Sequence, residues 1–471
     1  MRRAAVLLAA GALALAGCGG ERQHASTVVV TRTVAASNPQ PSSLPAIRHR
    51  EQAILVAVVD GDSSTRVAGA RVSVGGHTAR TNRHGVAKLH VARRGAYVTT
   101  AAKRGYGTRS VRLPFRTHPL AALRIYRTAL QWPLYGATPA RTHVQSSMRV
   151  RPPFRVVWTR GVGSLMEFPA VVSDGVAYVG NYRETIRAIS MRDGSVIWRH
   201  DTPHGKMASS LAISGGSVVV HGMDGYVRVL RRSDGHVLWS YRTGSPIESS
   251  PIVAHGLDVF GTWSGRIAAL DLKTHRVRWS RADGCKITSS AAIVGGTVYI
   301  GDYCGRLLAL DARTGAPRWT GRVNGRIYGT PAVAAGRVFV PSSTGDSLTA
   351  FSTRGRLLWR RGFGSYVYSS PATDHGRVFV GDYGGGFYAL SARSGRTLWE
   401  VSAGGSVSGA AVVVDGVAYA GSLGHEIVGV AAPTGRVLVR FPHGEYVPVS
   451  GSGDRLLLHG YSRLYAVEAK R

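Results

Sequence analysis

Cationic and aromatic side chains recur at matching positions of a sequence unit that repeats about every 40 residues. The cations at one such position are Lys206, Lys286 and Arg326. Tyrosines take the same position, or lie two residues further along, at Tyr328, Tyr366, Tyr368 and Tyr446. Cations interleaved with tyrosine rings suit an anionic or sugar-like ligand, held by charge and by ring stacking. The alternative interpretation is a solvated basic rim that binds nothing.

Catalytic and metal-binding motifs are missing from the sequence. The 17 histidines occur singly, without the H-x-x-H spacing of metal sites. No nucleophile elbow, phosphate loop or catalytic triad pattern is present. We therefore predict no catalytic residue, no metal ligand and no cofactor, and we favour binding over catalysis.

Three cysteines are present, of which one belongs to the N-terminal segment described below. The other two, Cys285 and Cys304, form an even pair, as expected of an oxidising compartment. In an antiparallel four-stranded unit both lie in connections on the same face, so we predict a disulfide across one unit. It would close about 20 residues and contribute roughly 3 kcal/mol. A metal or redox pair is the alternative, but other ligands are missing.

The N-terminus has the pattern of a bacterial export signal. A positive Met1-Arg2-Arg3 precedes a short apolar stretch that ends in Leu15-Ala16-Gly17-Cys18. This ending resembles a lipobox, which implies a signal peptide over 1–17 and a lipid on Cys18. An ordinary secretory signal with a chance cysteine is the alternative. Residues 18–52 are polar and proline-containing, as in a tether, so we expect an extracytoplasmic protein anchored to the cell membrane.

The charge of the chain limits the kinds of partner that it can attract. The net charge is +33 and the isoelectric point is near 11.1. Such a chain attracts anionic surfaces, and outside the cytoplasm these are wall polymers, phospholipid headgroups and acidic glycans. Nucleic-acid motifs are absent from the sequence. We predict a monomer whose partner is an envelope protein or an anionic polymer or glycan.

Residues 53–128 contain short β-branched runs separated by turns, which predict a small β-sandwich. Gly69-Ala70-Arg71-Val72, Thr81-Asn82-Arg83-His84-Gly85 and Gly95-Ala96-Tyr97 resemble the carboxypeptidase-regulatory-like, transthyretin-type domain. That resemblance implies a spacer or adhesive module without catalysis. Residues 129–153, with four prolines and no clean period, are predicted to be a linker that packs partly on its neighbours.

A tryptophan marks each repeat from residue 154 onwards. Successive spacings are 40 or 41 residues, and Val439 takes the next position in the series. The tryptophans are Trp158, Trp198, Trp239, Trp279, Trp319, Trp359 and Trp399. Four short β runs per unit at this period predict a β-propeller, with each indole packing between blades rather than binding a ligand.

The strand count predicts eight blades over residues 154–471. The chain begins with one outer strand and ends with three inner ones, so pairing the two ends would complete the eighth blade and remove open edges. The segment Ala309–Trp319 resembles the docking motif of the pyrroloquinoline-quinone-like repeat family. The fold class is therefore all-β, an eight-bladed propeller closed by its terminal strands and preceded by a β-sandwich.

Two classes of function follow from this resemblance. One is a non-catalytic, lipid-anchored binding or scaffolding propeller of the cell envelope, similar to the barrel-assembly propeller lipoproteins; this is the class we favour. The other is a quinoprotein oxidoreductase with calcium and pyrroloquinoline quinone. Such enzymes carry two adjacent cysteines over the cofactor, which this sequence lacks. A polysaccharide-binding sensor or polysaccharide-acting enzyme is a third possibility.

Overall fold

The structure, a computed structural model, describes residues 51–92, 95–116, 118–203 and 205–470. The lipidation site Cys18, the signal segment 1–17 and the tether up to residue 50 lie outside the described residues. The described chain is essentially all strand, as the sequence predicts. Its two short 3₁₀ helices are Thr128–Leu130 and Ser343–Gly345.

Residues 52–125 form two sheets that pack on each other. One sheet contains, in order, β4 (Val86–Val91), β1 (Gln52–Asp60) and β7 (Leu120–Ile125). The other contains β3 (His77–Arg80), β2 (Arg71–Val74), β5 (Ala96–Ala102) and β6 (Arg109–Pro114). Alternate side chains of these strands, among them Ile54, Val72 and Leu123, fill one shared apolar core.

Eight blades of four antiparallel strands follow, each running from an inner to an outer strand, which confirms the predicted propeller. Blades one and two contain β10 (Val171–Ser173), β11 (Val176–Gly180), β12 (Thr185–Ser190) and β13 (Val196–Asp201), then β14 (Ala212–Ser214), β15 (Ser217–His221), β16 (Tyr226–Arg231) and β17 (Val237–Arg242). Blades three and four contain β18 (Ile252–Ala254), β19 (Leu257–Gly261), β20 (Arg266–Asp271) and β21 (Arg276–Ala282), then β22 (Ala292–Val294), β23 (Thr297–Gly301), β24 (Arg306–Asp311) and β25 (Pro317–Arg322).

The remaining blades repeat this pattern. Blades five and six contain β26 (Ala332–Ala334), β27 (Arg337–Ser342), β28 (Ser347–Ser352) and β29 (Leu357–Gly362), then β30 (Ala372–Asp374), β31 (Arg377–Gly381), β32 (Gly386–Ser391) and β33 (Thr397–Ser402). Blade seven contains β34 (Val412–Val414), β35 (Val417–Ser422), β36 (Glu426–Ala431) and β37 (Val437–Pro442). Blade eight contains β38 (Val449–Ser452), β39 (Arg455–His459), β40 (Arg463–Ala469) and β9 (Phe154–Gly161).

The two ends of the propeller sequence close the ring, as predicted. β9 pairs antiparallel with β40, from Gly161 opposite Arg463 to Phe154 opposite Ala469. The outer strand of blade eight therefore comes from the start of the repeat region and its three inner strands come from the end. This pairing satisfies backbone groups that an open ring would leave at two sheet edges.

Most of the repeated tryptophans dock one blade onto the next. In six of them the indole Nε1 donates to a backbone carbonyl of the following blade at 2.9–3.2 Å. The pairs are Trp158 with Met191, Trp198 with Arg232, Trp279 with Ala312, Trp319 with Thr353, Trp359 with Ala392 and Trp399 with Ala432. The tryptophans are structural in these contacts.

Each docked indole lies against a glycine at the turn before the outer strand of the following blade. A Cβ at Gly315, whose φ is +72°, would come within 2.5 Å of the Trp279 ring. The position therefore requires glycine for space as well as for conformation. His275 takes this position in blade three at φ 60°, and there the Trp239 ring stacks on the imidazole with centroids 4.5 Å apart.

The segment between the sandwich and the propeller lies inside the central channel, a course that the sequence did not predict. Its backbone carbonyls accept hydrogen bonds of 2.7–2.9 Å from the middle N–H of six inner strands. The accepting and donating residues are Trp132 and Val172, Pro133 and Ile213, Pro139 and Ile293, Ala140 and Val333, Thr142 and Thr373, and His143 and Val413. β8 (Val144–Gln145) then pairs in parallel with β34. The linker thus follows the inner wall of the channel and accepts hydrogen bonds from backbone N–H groups of inner strands that would otherwise lack a partner.

Arg141 fixes this linker at the centre of the molecule. Its guanidinium is fully buried and donates to the carbonyls of Ala291 at 2.9 Å, Ser250 at 3.2 Å and Pro251 at 3.1 Å, and to that of Tyr135. Burial lowers the pKa of Arg141 to about 9. The backbone oxygens take the place of the water that would solvate the guanidinium at the surface. A buried charge is tolerated when it is hydrogen-bonded in this way.

The sandwich packs on blades one and eight at the end of the channel where the inner strands finish. A Cβ at Gly175, in the turn that follows β10, would lie 2.4 Å from the Tyr126 hydroxyl. Asp62 accepts from Gln131 at 3.3 Å and contacts the Ser452 hydroxyl at 3.4 Å. The sandwich therefore covers blades one and eight at this end of the propeller.

Candidate functional site

The opposite end of the channel, where the inner strands begin, opens into a cavity of about 180 Å³. We call this opening the mouth. Residues that enter the inner strands line the cavity, and the linker contributes Tyr135. Tyr135 is buried, meets the Phe168 ring edge-on at 5.3 Å and donates to the Ser370 hydroxyl at 3.2 Å. The linker therefore forms part of the wall of the cavity.

Aromatic rings form a continuous row along the mouth over blades four to six. The ring centroids of Tyr303 and Tyr328 are 4.5 Å apart, and those of Tyr328 and Tyr368 are 5.2 Å apart. Tyr368 also contacts Tyr366 at 5.9 Å and Tyr383 at 5.4 Å. Tyr366 is 49% exposed and Tyr383 is 41% exposed, so the row presents ring surface to solvent. Large exposed aromatic rings that cluster in this way mark interaction sites.

Two cations of the mouth already lie over aromatic faces. The Lys286 ammonium is 3.4 Å from the ring centroid of Trp263 and 5.0 Å from that of Tyr303. The Arg326 guanidinium is 5.7 Å from the Tyr303 centroid. These contacts hold the positive groups beside the aromatic row, where each retains donors for a ligand.

Two carboxylates face the same cavity. Glu248 accepts from the Trp263 indole N–H at 2.9 Å. Burial raises the pKa of Glu248, whereas this hydrogen bond and the charge of Lys286 oppose the rise. Burial, and then the negative charge of Glu248, raise the pKa of Glu167 to about 7. In the described part of the chain Glu167 has neither a hydrogen-bond nor an ion-pair partner for its carboxylate.

A disulfide borders the mouth in blade four. The structure joins Cys285 to Cys304, whose Cα atoms are 6.0 Å apart. This separation is within the range that a disulfide requires. The bridge lies next to Lys286 and Tyr303 in the sequence, so it ties together the two loops that carry them.

The structure places the predicted mouth residues on one end of the propeller, in three groups. Lys286, Arg326, Tyr328, Tyr366 and Tyr368 lie along the aromatic row. Lys206 lies apart, with its ammonium 6.0 Å from the Tyr182 ring. Tyr446 lines the cavity itself. Whether these residues bind a ligand stays a prediction.

Sequence reasoning missed the residues that define the character of the site. Trp263, Tyr303 and Tyr383 each come two residues after the glycine that ends the second strand of a blade, and Tyr182 shares that position. Glu167 and Glu248 occupy the same repeat position as Tyr328 and Tyr368. Aligning all eight repeats at these two positions would have found both sets.

Within residues 51–470, as far as they are described, no group of three or more His, Cys, Asp or Glu side chains could hold a metal ion. The described residues also contain no helix with the length and apolar character needed to cross a bilayer. These two findings concern the described residues alone.

Comparison with known proteins identifies relatives of the propeller. A family model described as outer membrane protein assembly factor BamB matches residues 153–284, 282–362 and 342–447. The outer membrane protein assembly factor BamB of Yersinia pestis is 31% identical over 112 residues. That match covers 21% of this chain and 28% of the relative, so it spans little more than a quarter of the relative's length.

Solved structures share the fold at low sequence identity. BamB from Moraxella catarrhalis superposes with a TM-score of 0.58 at 20% identity, over 68% of this chain and 99% of that one. Quinohemoprotein alcohol dehydrogenase from Comamonas testosteroni superposes with a TM-score of 0.63 at 15% identity, over 72% and 81% of the two chains. At these identities the likeness concerns the fold alone.

Proposed function

Because the chain belongs to the family of the outer membrane protein assembly factor BamB, we propose that it is a non-catalytic binding and scaffolding propeller of the cell envelope. In this proposal Cys18 carries a lipid that holds the protein at the membrane, and the mouth faces the partner. The name of the family supports a partner in the envelope. This chain has an additional sandwich domain and a strongly basic charge. We therefore do not limit the proposed partner to a complex that assembles outer membrane proteins.

One observation carries the proposal: the two ends of the channel differ. The sandwich packs on blades one and eight at one end, whereas the other end exposes a row of aromatic rings with cations beside it. A surface of this composition resembles the anchor residues of binding interfaces, in which Trp, Tyr and Arg dominate.

A quinone cofactor with calcium does not fit the residues of the mouth. Pyrroloquinoline quinone carries three carboxylates, and the cavity already contains Glu167 and Glu248. A metal that could offset this repulsion would need a ligand set, and no group of three candidate ligands is found among the described residues. The sequence also lacks adjacent cysteines. These observations support binding rather than quinone-dependent oxidation.

Cosedimentation with isolated cell envelopes tests the proposal without the lipid anchor. The compact unit Glu51–Arg471 is purified and mixed with membrane and wall fractions from the parent organism. We expect it to cosediment, and we expect the mouth variant Tyr366→Ala/Tyr383→Ala to lose most of this binding. The matched variant Leu357→Ala/Leu398→Ala removes two side chains of comparable exposure from outer strands and should bind normally. Equal binding by both variants would overturn the proposal.

Membrane anchoring is tested separately in cells. Cys18→Ala should release the protein from the membrane fraction or trap the uncleaved precursor. An unchanged distribution and an unchanged mature mass would contradict a lipid on Cys18.

A further inference from the structure

The mouth combines three kinds of group that a single ligand would have to satisfy: exposed aromatic faces, hydrogen-bond donors and unpaired carboxylate oxygens. Trp263 is 38% exposed and lies beside the row that runs from Tyr303 to Tyr383. Flat apolar ring surface of this extent favours a ligand with its own flat apolar faces. A pyranose ring has such faces, formed by its C–H groups.

Donors and acceptors alternate around the same opening. Lys286 and Arg326 supply N–H donors at the rim. Glu248 and Glu167 supply acceptors deeper in the cavity, where Glu248 already has one donor, from Trp263. Glu167 is half-buried and has no donor in the described part of the chain. A partly buried carboxylate without a donor is costly, so a ligand hydroxyl that donates to it would be bound favourably.

The charged side chains of the mouth disfavour small inorganic anions and cations as ligands. A small anion that enters the cavity meets the carboxylate of Glu248 and, as the pH rises above about 7, that of Glu167 as well. Repulsion between like charges disfavours the anion there. A small cation is repelled by Lys286 and Arg326 beside the aromatic row, on a chain of net charge +33. A neutral polyhydroxylated ligand avoids both penalties, since its hydroxyls donate to the carboxylates and accept from the cations.

We propose that the mouth binds a neutral glycan, with one sugar unit in the cavity beside Glu167 and Glu248 and adjoining units stacked on Trp263 and the tyrosine row. The cavity of about 180 Å³ is smaller than the roughly 300–1,000 Å³ of typical ligand pockets, which suits a single unit of a longer chain. This inference rests on the proposed function only in taking the mouth as the binding face. The glycan can belong to a wall polysaccharide or to a glycosylated partner.

Titration calorimetry with defined probes tests the assignment on the unit Glu51–Arg471. The neutral probes are tetrasaccharides of glucose (α- and β-linked) and of N-acetylglucosamine, and the charged probes are spermidine and inorganic polyphosphate. We expect at least one neutral probe to bind and to quench Trp263 fluorescence. Glu167→Gln and Glu248→Gln should each raise its dissociation constant about tenfold, the effect of losing one charged hydrogen bond. Trp263→Ala should do so at least as strongly, and Trp263→Phe should restore part of the loss.

Glu400→Gln is the matched control, because Glu400 lies exposed on the outer strand β33 and is not among the residues that line the cavity. It should bind as wild type does, and melting temperatures verify that all variants are folded. Failure of every neutral probe to bind at millimolar concentration would overturn the glycan assignment. So would spermidine binding that depends on Glu167, or polyphosphate binding as the only response. Envelope cosedimentation through the mouth would still stand in those cases, which separates this inference from the proposed function.

A neutral probe that binds shows the ligand chemistry, and its source is then distinguished by two pull-downs. Purified wall polysaccharide should compete for the site if the ligand belongs to the wall. Deglycosylated envelope proteins should lose binding if the ligand is carried by a protein. Competition by neither source would overturn an envelope glycan as the ligand.

Discussion

The two ends of the channel are built from the same eight strand-to-strand repeats, yet they have opposite surfaces. At one end short turns meet the sandwich at blades one and eight. At the other end longer connections expose tyrosines, a tryptophan and cations around a cavity. The repeated strands therefore determine the shape of the propeller. The segments outside the repeat, which are the sandwich and the linker, determine which end a ligand can reach.

Both ends of the channel depend on a closed ring of blades, so opening the ring should have the largest effect. Deleting Tyr446–Arg471 removes the three inner strands of blade eight and leaves β9 without its partner β40. We expect aggregation or the loss of cooperative unfolding, because two strand edges become exposed. Circular-dichroism melting and size-exclusion chromatography measure both outcomes. Deletion of Arg471 alone is the control, and a soluble, cooperatively folding truncation would count against closure by the terminal strands.

The next largest effect should come from loosening the linker inside the channel. Arg141→Met leaves four buried carbonyls without their donor and should lower the free energy of unfolding by about 3 kcal/mol or more. Arg149 lies on the same linker with 72% of its side chain exposed, so Arg149→Met should cost less than about 0.5 kcal/mol. Denaturant titration of the two variants measures the difference. Equal stabilities would mean that the linker does not hold the channel as described.

The disulfide distinguishes the two ends of the channel, because Cys285 and Cys304 both lie at the mouth. Intact mass of the secreted protein should be lower by two hydrogens, with a Cys285–Cys304 crosslinked peptide after digestion. Cys285→Ser/Cys304→Ser should reduce stability by roughly 3 kcal/mol, as expected for a closed loop of this length. Two thiols that are freely alkylated under native, non-reducing conditions would refute the bond and reopen the metal or redox interpretation of this pair.

The smallest expected effect concerns Glu167 and pH. Its folded pKa of about 7 lies above the ordinary 4.5, so the native state binds more protons than the unfolded state between these values. Its contribution to stability therefore falls as pH rises through that window. Glu167→Gln should match wild type near pH 4 and exceed its stability above pH 7 by on the order of 1–2 kcal/mol, allowing for partial solvation.

Urea titrations at both pH values measure this difference, with Glu400→Gln as the exposed control. A pH-independent difference between Glu167→Gln and wild type would show that the carboxylate is not desolvated in the cavity.

Much of the frame could be predicted from local sequence signals. The tryptophan spacing and the turn glycines repeat because each blade needs the same docking contact, so the blade count and the closure follow from counting. Even the irregular blade was visible in the sequence, since His275 stands where the other units have glycine. The cysteine pair could be located because both connections of a blade lie on one face.

The course of the linker and the acidic part of the site could not be predicted in the same way. Residues 130–145 bond through backbone carbonyls, and backbone groups leave no signature in side-chain types. Glu167 and Glu248 occur in only two repeats, 81 residues apart, so neither looks periodic. The two carboxylates come close together only because the closed ring places the inner strands of blades one and three around the same channel.

The most direct test of the central claim, that the mouth is the binding face, compares the two ends in living cells. A photoreactive amino acid is placed at Tyr383, on the mouth, or at Arg393, exposed in the turn between β32 and β33 at the opposite end of the same blade. After irradiation we expect a specific crosslink to an envelope component from position 383 and none above background from position 393. Crosslinks from 393 alone, or equal crosslinks from both positions, would contradict the account.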